Sequence, residues 1–347
     1  MRSRPTTRRR ASTSSTTERR LAADRSFFAL TPERVLEAVE VDGRRATGYA
    51  LALNSLENRV YEVELEDETR LVVKFYRPGR WSRAAILEEH AFLRELAEED
   101  LPVVPPMVLG GETLRESATE DGGLLYAVFP KARGRVPEEL SDEQMERLGR
   151  LIARLHLVGA RRAAPERPRL DAETYGAASV RLLAGGKFLP EELRARFVAT
   201  GDKLVAECGA ALERLGGEPI RLHGDCHLGN LLWGAQGPFF LDFDDFLAGP
   251  AVQDLWLLAP GRDAEALRQR EAAADGYETM RAFDRRALRL VEPLRALRIL
   301  RYAAWIAQRF DDPAFQRTFP AFTEYAWWQR ELDTLDEQLE HVRASQA

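Results

Sequence analysis

Between residues 220 and 245, three polar side chains recur at a spacing that suits phosphoryl transfer: Asp225, Asn230 five positions on, and Asp242 twelve beyond that. Such a reaction asks little covalent chemistry of a protein. It asks for in-line positioning of the attacking group and neutralisation of charge on the phosphate oxygens. Asp225 is the catalytic candidate to accept the hydrogen bond of an attacking hydroxyl. Asn230 and Asp242 are candidates to hold Mg²⁺ against the phosphates, which makes Asp242 catalytic as well. That cation takes hard oxygen ligands and keeps several waters, so one amide and one carboxylate are a sufficient protein share. A His-x-Asp-x-His reading of His223, Asp225 and His227 as a zinc centre is the alternative, and it leaves Asn230 and Asp242 without a task.

The N-terminal half offers the partners such a site requires. Lys74 sits among Val72, Val73 and Phe75 in a chain with only four lysines, which otherwise uses arginine for positive charge. A compact ammonium suits contact with two phosphates better than a planar guanidinium does. Glu89, fifteen residues on and inside a helix, is the candidate to orient Lys74, with Glu88 the alternative because neighbouring helix positions point about 100° apart. The polar turn at 54–58 falls where a loop covering phosphates should lie. It lacks a G-x-G-x-x-G pattern, but small Asn54 and Ser55 could present N–H groups and a hydroxyl.

Positioning these groups takes a sheet followed by helices. A Thr31-Pro32 helix start precedes β-like runs at 49–53, 60–65 and 71–75, an antiparallel meander. Ser82 opens a helix with Ile86, Leu87, Phe92, Leu93 and Leu96 near helical spacing, and two further strands are expected at 103–109 and 124–129. Beyond 131 the pattern turns helical. Ser141 with Gln144 is a capping box for a helix to about 158, and amphipathic helices fit 190–215, 251–258, 263–280, 285–310 and 322–342. One strand-rich island, 220–243, carries the site. The expected fold is α+β and two-lobed like a protein kinase. A basic tail at 1–25, expected to be disordered, precedes an N-terminal nucleotide-binding lobe at 26–131 with one main helix and a mostly helical catalytic and acceptor lobe at 132–347.

Bulk composition sets the limits. The formal charge of −6 over 347 residues gives no basic footprint for nucleic acid. The apolar run at 288–307 is broken by Arg289, Arg295, Arg298 and Arg301, so no membrane span is expected. Two cysteines, Cys208 and Cys226, at no redox-motif or metal-ligand spacing, point to a reducing compartment and the cytoplasm. His90, His156 and His341 fall on expected helices and read as structural, and aromatic residues at 302–328 read as core.

The string His223-x-Asp225-x₄-Asn230 followed by an apolar residue and Asp242 resembles the catalytic and metal loops of the aminoglycoside and choline kinase superfamily. The stretch 249–255 is also similar, and there the resemblance gives Asp254 a bracing role toward the catalytic loop. Further strings resemble the bacterial stress-response protein kinases of that superfamily: Asn54-Ser55 with Glu57-Asn58-Arg59-Val60-Tyr61, residues 72–78, 86–90 and Glu292-Pro293-Leu294-Arg295-Ala296. The resemblance spans about 26–330 and points at Ser55 as a nucleotide contact. It implies an ATP- and magnesium-dependent serine/threonine protein kinase that phosphorylates itself as well; a monomer or a homodimer is expected, the sequence not separating the two. A small-molecule kinase acting on an amino alcohol, sugar or aminoglycoside hydroxyl is the second expectation, and a non-catalytic nucleotide-binding scaffold the third. The short interval from Asp242 to Asp254 and the lack of an Ala-Pro-Glu segment argue against control by a phosphorylated activation loop.

Overall fold

Alternating apolar residues build the first sheet. In the computed structural model, which describes residues 27–28, 30–117, 123–235 and 237–347, strands β1 (Ala46–Ala52), β2 (Arg59–Leu65), β3 (Arg70–Phe75), β4 (Arg115–Ser117) and β5 (Leu124–Pro130) pair antiparallel in the order β1-β2-β3-β5-β4. The tail expected at 1–25 lies outside the described residues. Side chains alternate across a strand. Leu71, Val73 and Phe75 of β3 therefore enter one core with Phe27, Val63 and Val128, while Tyr76 packs with Ile86 and Ala127 on the other face. Helix α1 (Pro32–Glu37) serves the first core through Val35, and α2 (Arg83–Glu98) brings Ile86 to the second. Lys74, in register with Val60 and Ala127, shares the parity of Tyr76.

The strand expected at 103–109 does not form. Pro102, Pro105 and Pro106 lack the N–H that a ladder needs, and the segment keeps only scattered pairings, such as Met107 N–H to the Val128 carbonyl at 2.7 Å. Arg115–Ser117 takes the place beside β5 instead.

The described residues divide into two compact units, one within Met1–Ala97 and Val104–Ala132 and the other within Glu98–Val103 and Arg133–Ala347. The second is mostly helical: α3 (Asp142–Gly159), α4 (Ala178–Gly185), α5 (Glu191–Leu215), α6 (Val252–Trp256), α7 (Ala264–Glu278), α8 (Val291–Arg309), α9 (Pro313–Thr318) and α10 (Tyr325–Gln346). The capping box closes as expected, with Ser141 Oγ accepting from Gln144 N–H and Gln144 Oε1 accepting from Ser141 N–H. The helix expected from 285 begins as a 3₁₀ segment, Arg285–Leu290, and becomes α-helical at Val291, with Pro293 in the first turn where its missing N–H costs nothing. A π-helical turn, Ala172–Ala177, leads into α4. The core gathers Phe197, Leu204, Leu294, Leu297, Phe322 and Trp328, so much of the aromatic stretch at 302–328 is interior. Among the described residues no helix is long and apolar enough to cross a membrane.

Candidate active site

Two short sheets of the second unit carry Asp225, Asn230 and Asp242. β6 (Ile220–Leu222) pairs antiparallel with β9 (Leu247–Gly249), and β7 (Leu231–Gly234) with β8 (Gly237–Phe240). All three β6 residues are buried, which anchors the loop that follows. In the β7–β8 hairpin Leu231 is opposite Phe240. The next pair outward is Asn230 and Leu241, joined by Leu241 N–H to the Asn230 carbonyl at 2.9 Å, so Asp242 emerges one residue past Asn230's partner. His223 ties the Asp225 loop to the same point, its Nε2 lying 2.8 Å from the Leu241 carbonyl oxygen. That carbonyl can only accept, so Nε2 carries the proton and Nδ1 accepts from Asp225 N–H at 3.3 Å. With both ring nitrogens engaged by the backbone, His223 is not available as a zinc ligand.

Asn230 donates Nδ2–H to the Asp225 carbonyl at 2.9 Å and reaches toward Asp225 Oδ2 at 3.5 Å. The donor side of the amide is thereby committed to the loop, which leaves Oδ1 as the side chain's ligand atom. Asp242 is exposed and left-handed, with φ 57°. Asp is one of the few side chains that adopt this conformation, at a cost of roughly 1–2 kcal/mol. An amide oxygen and an exposed carboxylate on adjoining hairpin ends suit a hard divalent cation that completes its shell with water and phosphate oxygens. Among the described residues no three or more His, Cys, Asp or Glu side chains gather as a metal-holding group.

Asp225 is flanked on both oxygens. Arg298 Nη1 of α8 is 2.8 Å from Oδ1, and His227 Nε2 is 3.4 Å from Oδ2. Burial pushes its carboxyl up, but the hydrogen bond from His227 and the charge of Arg298 outweigh it and hold the group well below the usual carboxylate range. Asp225 is therefore an anion fit to orient a hydroxyl.

Below the loop lies a buried brace. Asp254 of α6 accepts from His223 N–H and Gly224 N–H, both at 2.8 Å, and from His156 Nε2–H at 3.0 Å. Tyr277 O–H donates to His156 Nδ1 at 2.9 Å, and Arg281 donates to the Tyr277 oxygen at 2.8 Å. Gly224 itself has φ +86°, and a Cβ there would strike the Asp245 carbonyl, so no other residue fits the turn.

In the first unit Lys74 Nζ lies 3.5 Å from Glu89 Oε1, and both groups are buried. The β1–β2 turn is pinned from the segment that follows β3: Arg77 donates to the Leu56 and Glu57 carbonyls, and its N–H donates to Asn58 Oδ1. Arg80 pairs with Glu57 at 3.3 Å. Ser55 Oγ accepts from Asn58 N–H at 3.4 Å within this turn. Two of the strings that carried the resemblance are thus physically one assembly.

Burial keeps two histidines neutral. Burial, then the charges of Lys74 and Arg94, pushes His90 down to about 3, and burial pushes His156 down against the opposing pull of Asp254. A histidine whose pKa is lower folded than unfolded binds its proton on unfolding, so stability is full above about pH 6.5 and falls as pH drops. Urea unfolding at pH 7 and pH 5 should differ by about 2 kcal/mol from His90 alone. The difference should shrink by that amount in His90→Gln, and an unchanged difference would contradict the assignment.

Arg298, the Arg281–Tyr277–His156 relay and the Arg77–Arg80 clamp were not foreseen from sequence. Arg298 had a signal, as a charge interrupting an apolar helical run.

The sequence matches the phosphotransferase enzyme family over residues 50–291. It is 41% identical over 316 residues to stress response kinase A of Salmonella typhi, covering 90% of this chain and 94% of that protein. It is 40% identical over 316 residues to the serine/threonine protein kinase RdoA of Salmonella typhimurium, with the same coverage. Among solved structures, amicoumacin kinase hAmiN in complex with AMP-PNP, Ca²⁺ and Ami superposes with a TM-score of 0.68 at 21% identity, over 87% of this chain and 93% of that one. The fold is the two-lobed kinase-like fold of that enzyme.

Proposed function

The chain belongs to the phosphotransferase enzyme family, and we propose that within it the protein transfers the γ-phosphate of ATP, with Mg²⁺, to Ser and Thr hydroxyls of proteins, its own included. The observation that carries this reading is the identity of 40–41% across nine-tenths of the chain to relatives that include one named a serine/threonine protein kinase. That the acceptor is an alcohol follows from the family; that it is a protein side chain is the proposal.

The acceptor oxygen forms the new bond to the γ-phosphorus, the bond from that phosphorus to the bridging oxygen breaks, and ADP leaves with the electron pair. Asp225 orients the hydroxyl through a hydrogen bond and receives its proton as the new bond forms. Asn230 and Asp242 would hold the cation, which when bound would supply charge neutralisation at the phosphate oxygens. Lys74, steadied by Glu89, contacts the phosphates, and the β1–β2 turn with Ser55 covers them. Both cysteines are buried and free, in keeping with a reducing compartment such as the cytoplasm.

Incubation of the purified protein with labelled ATP and Mg²⁺ tests the reading. Label should appear on Ser and Thr of the protein itself and of added protein acceptors. Label confined to added amino alcohols, sugars or aminoglycosides would replace it with small-molecule transfer, and no transfer at all would leave a nucleotide-binding scaffold.

A further inference from the structure

Of the arginines that interrupt the apolar run of α8, Arg298 reaches the Asp225 loop, while Arg295 turns to Glu292 and the Pro260 carbonyl. Arg298 reaches Asp225 at 2.8 Å while its side chain stays 42% exposed. The exposed guanidinium is free to swing into solvent, while the Asp225 oxygen it covers is buried beneath it. Arg301, three positions on and on the same helix face, holds its guanidinium 5.6 Å from the Tyr175 ring centroid. Tyr175 comes from the π-helical turn, a widening of the helix that recurs at functional sites. It lies close because the next residue is Gly176: a Cβ there would sit 2.9 Å from Leu297 and 2.8 Å from Val205.

Burial, then the charge of Asp245, pushes the Tyr175 hydroxyl up in pKa against the opposing effect of Arg301, so it stays a protonated donor. The acid that acts on neighbouring Tyr302 from α10, Glu331, is pushed by burial up to about 7 and carries only part of its charge at neutral pH. Arg298 thus holds the hydroxyl-orienting carboxylate directly, and Tyr175, within range of the charges of Asp225 and Arg298, carries Arg301 against its ring.

We propose that Arg298, Arg301 and Tyr175 form an acceptor subsite beside Asp225 for hydroxyl compounds bearing a negative charge next to the reacting group, such as Ser or Thr flanked by Asp or Glu. Arg298 turns from Asp225 to that charge as the acceptor hydroxyl takes its place. Cationic amino alcohols and amino sugars meet Arg298 as a like charge and are rejected. This rests on the reading of Asp225 as the group that orients the hydroxyl.

The test uses the full chain and acceptor trios matched except for charge: one Ser peptide flanked by Glu, Gln or Lys, and glycerate, glycerol and ethanolamine. The wild type should use the anionic member of a trio first. Arg298→Ala should raise KM for that member roughly 10-fold or more, the scale of a lost hydrogen bond to a charged group, with a smaller change for the neutral member and ATP affinity within about twofold. Arg298→Glu should reverse the order. Arg298→Lys, which keeps the charge, should recover part of the preference and keeps the test readable if the alanine variant folds poorly. Preference for the cationic member, no transfer to any anionic member, or a charge preference unchanged in Arg298→Glu would overturn the subsite. If Asp225→Asn retained full transfer, the reading of Asp225 itself would fail, a result separable from an unaltered charge preference over an inactive Asp225→Asn.

Discussion

Asp225→Asn should lower kcat about 10³-fold, within the range of lost general-base and hydroxyl-positioning catalysis, while ATP affinity stays within about twofold of the wild type. The two side chains have one shape, so the loop should persist: its backbone is fixed by Asp254 through His223 N–H and Gly224 N–H, and by the His223 contact to the Leu241 carbonyl. What changes is charge. The aspartate is an anion held by His227 and Arg298; the amide offers a weaker acceptor and turns an N–H₂ group toward one of two donors. Single-turnover transfer from labelled ATP reads the first effect and calorimetric titration with a non-hydrolysable analogue reads the second. Unchanged turnover would remove Asp225 from the reaction, and loss of both activities together would mean that the substitution had disrupted the loop.

Asp242→Asn should act through the cation. Removing the charged member of the proposed ligand pair is expected to cost several kcal/mol of transition-state stabilisation, roughly 10²- to 10³-fold in kcat. Unlike Asp225→Asn, it should also raise the half-saturating Mg²⁺ concentration about 10-fold or more, because a neutral amide binds a hard dication less well. The left-handed backbone at Asp242 is one that Asn also adopts readily, so the substitution tests the ligand rather than the turn. Activity titrated against Mg²⁺ for both proteins decides it; superimposable curves would take Asp242 away from the metal.

What sequence conveyed about the fold follows from the range of the interactions involved. β1 to β3, β5 and the capping box of α3 depend on alternation, β-branched residues and a four-residue motif, all local. The segment 103–109 has strand-like composition, and its prolines weigh against a ladder by withholding N–H groups, a signal outvoted there by Val103, Val104, Met107, Val108 and Leu109. The π-turn at Ala172–Ala177 and the helix at Ala178–Gly185 lie in a stretch rich in Ala and Gly with little periodic contrast. In the candidate site, residue type and spacing singled out Asp225, Asn230 and Asp242 because the hairpin that joins the last two is short. Choosing Glu89 over Glu88 needed coordinates, since only the rotation of α2 sets which one lies 3.5 Å from Lys74. Arg298 needed them more: 73 positions separate it from Asp225, and no local pattern marks a pairing made by tertiary packing.

Lys74, Asp225, Asn230 and Asp242 are proposed to serve one nucleotide and its metal. A crystal structure with a non-hydrolysable ATP analogue and Mg²⁺ tests it most directly. Lys74 Nζ should contact phosphate oxygens, the metal should take Asn230 Oδ1 and an Asp242 carboxylate oxygen, and Asp225 should stand off the metal, facing the γ-phosphate. A nucleotide bound away from Lys74, or a metal held without Asn230 and Asp242, would contradict the account.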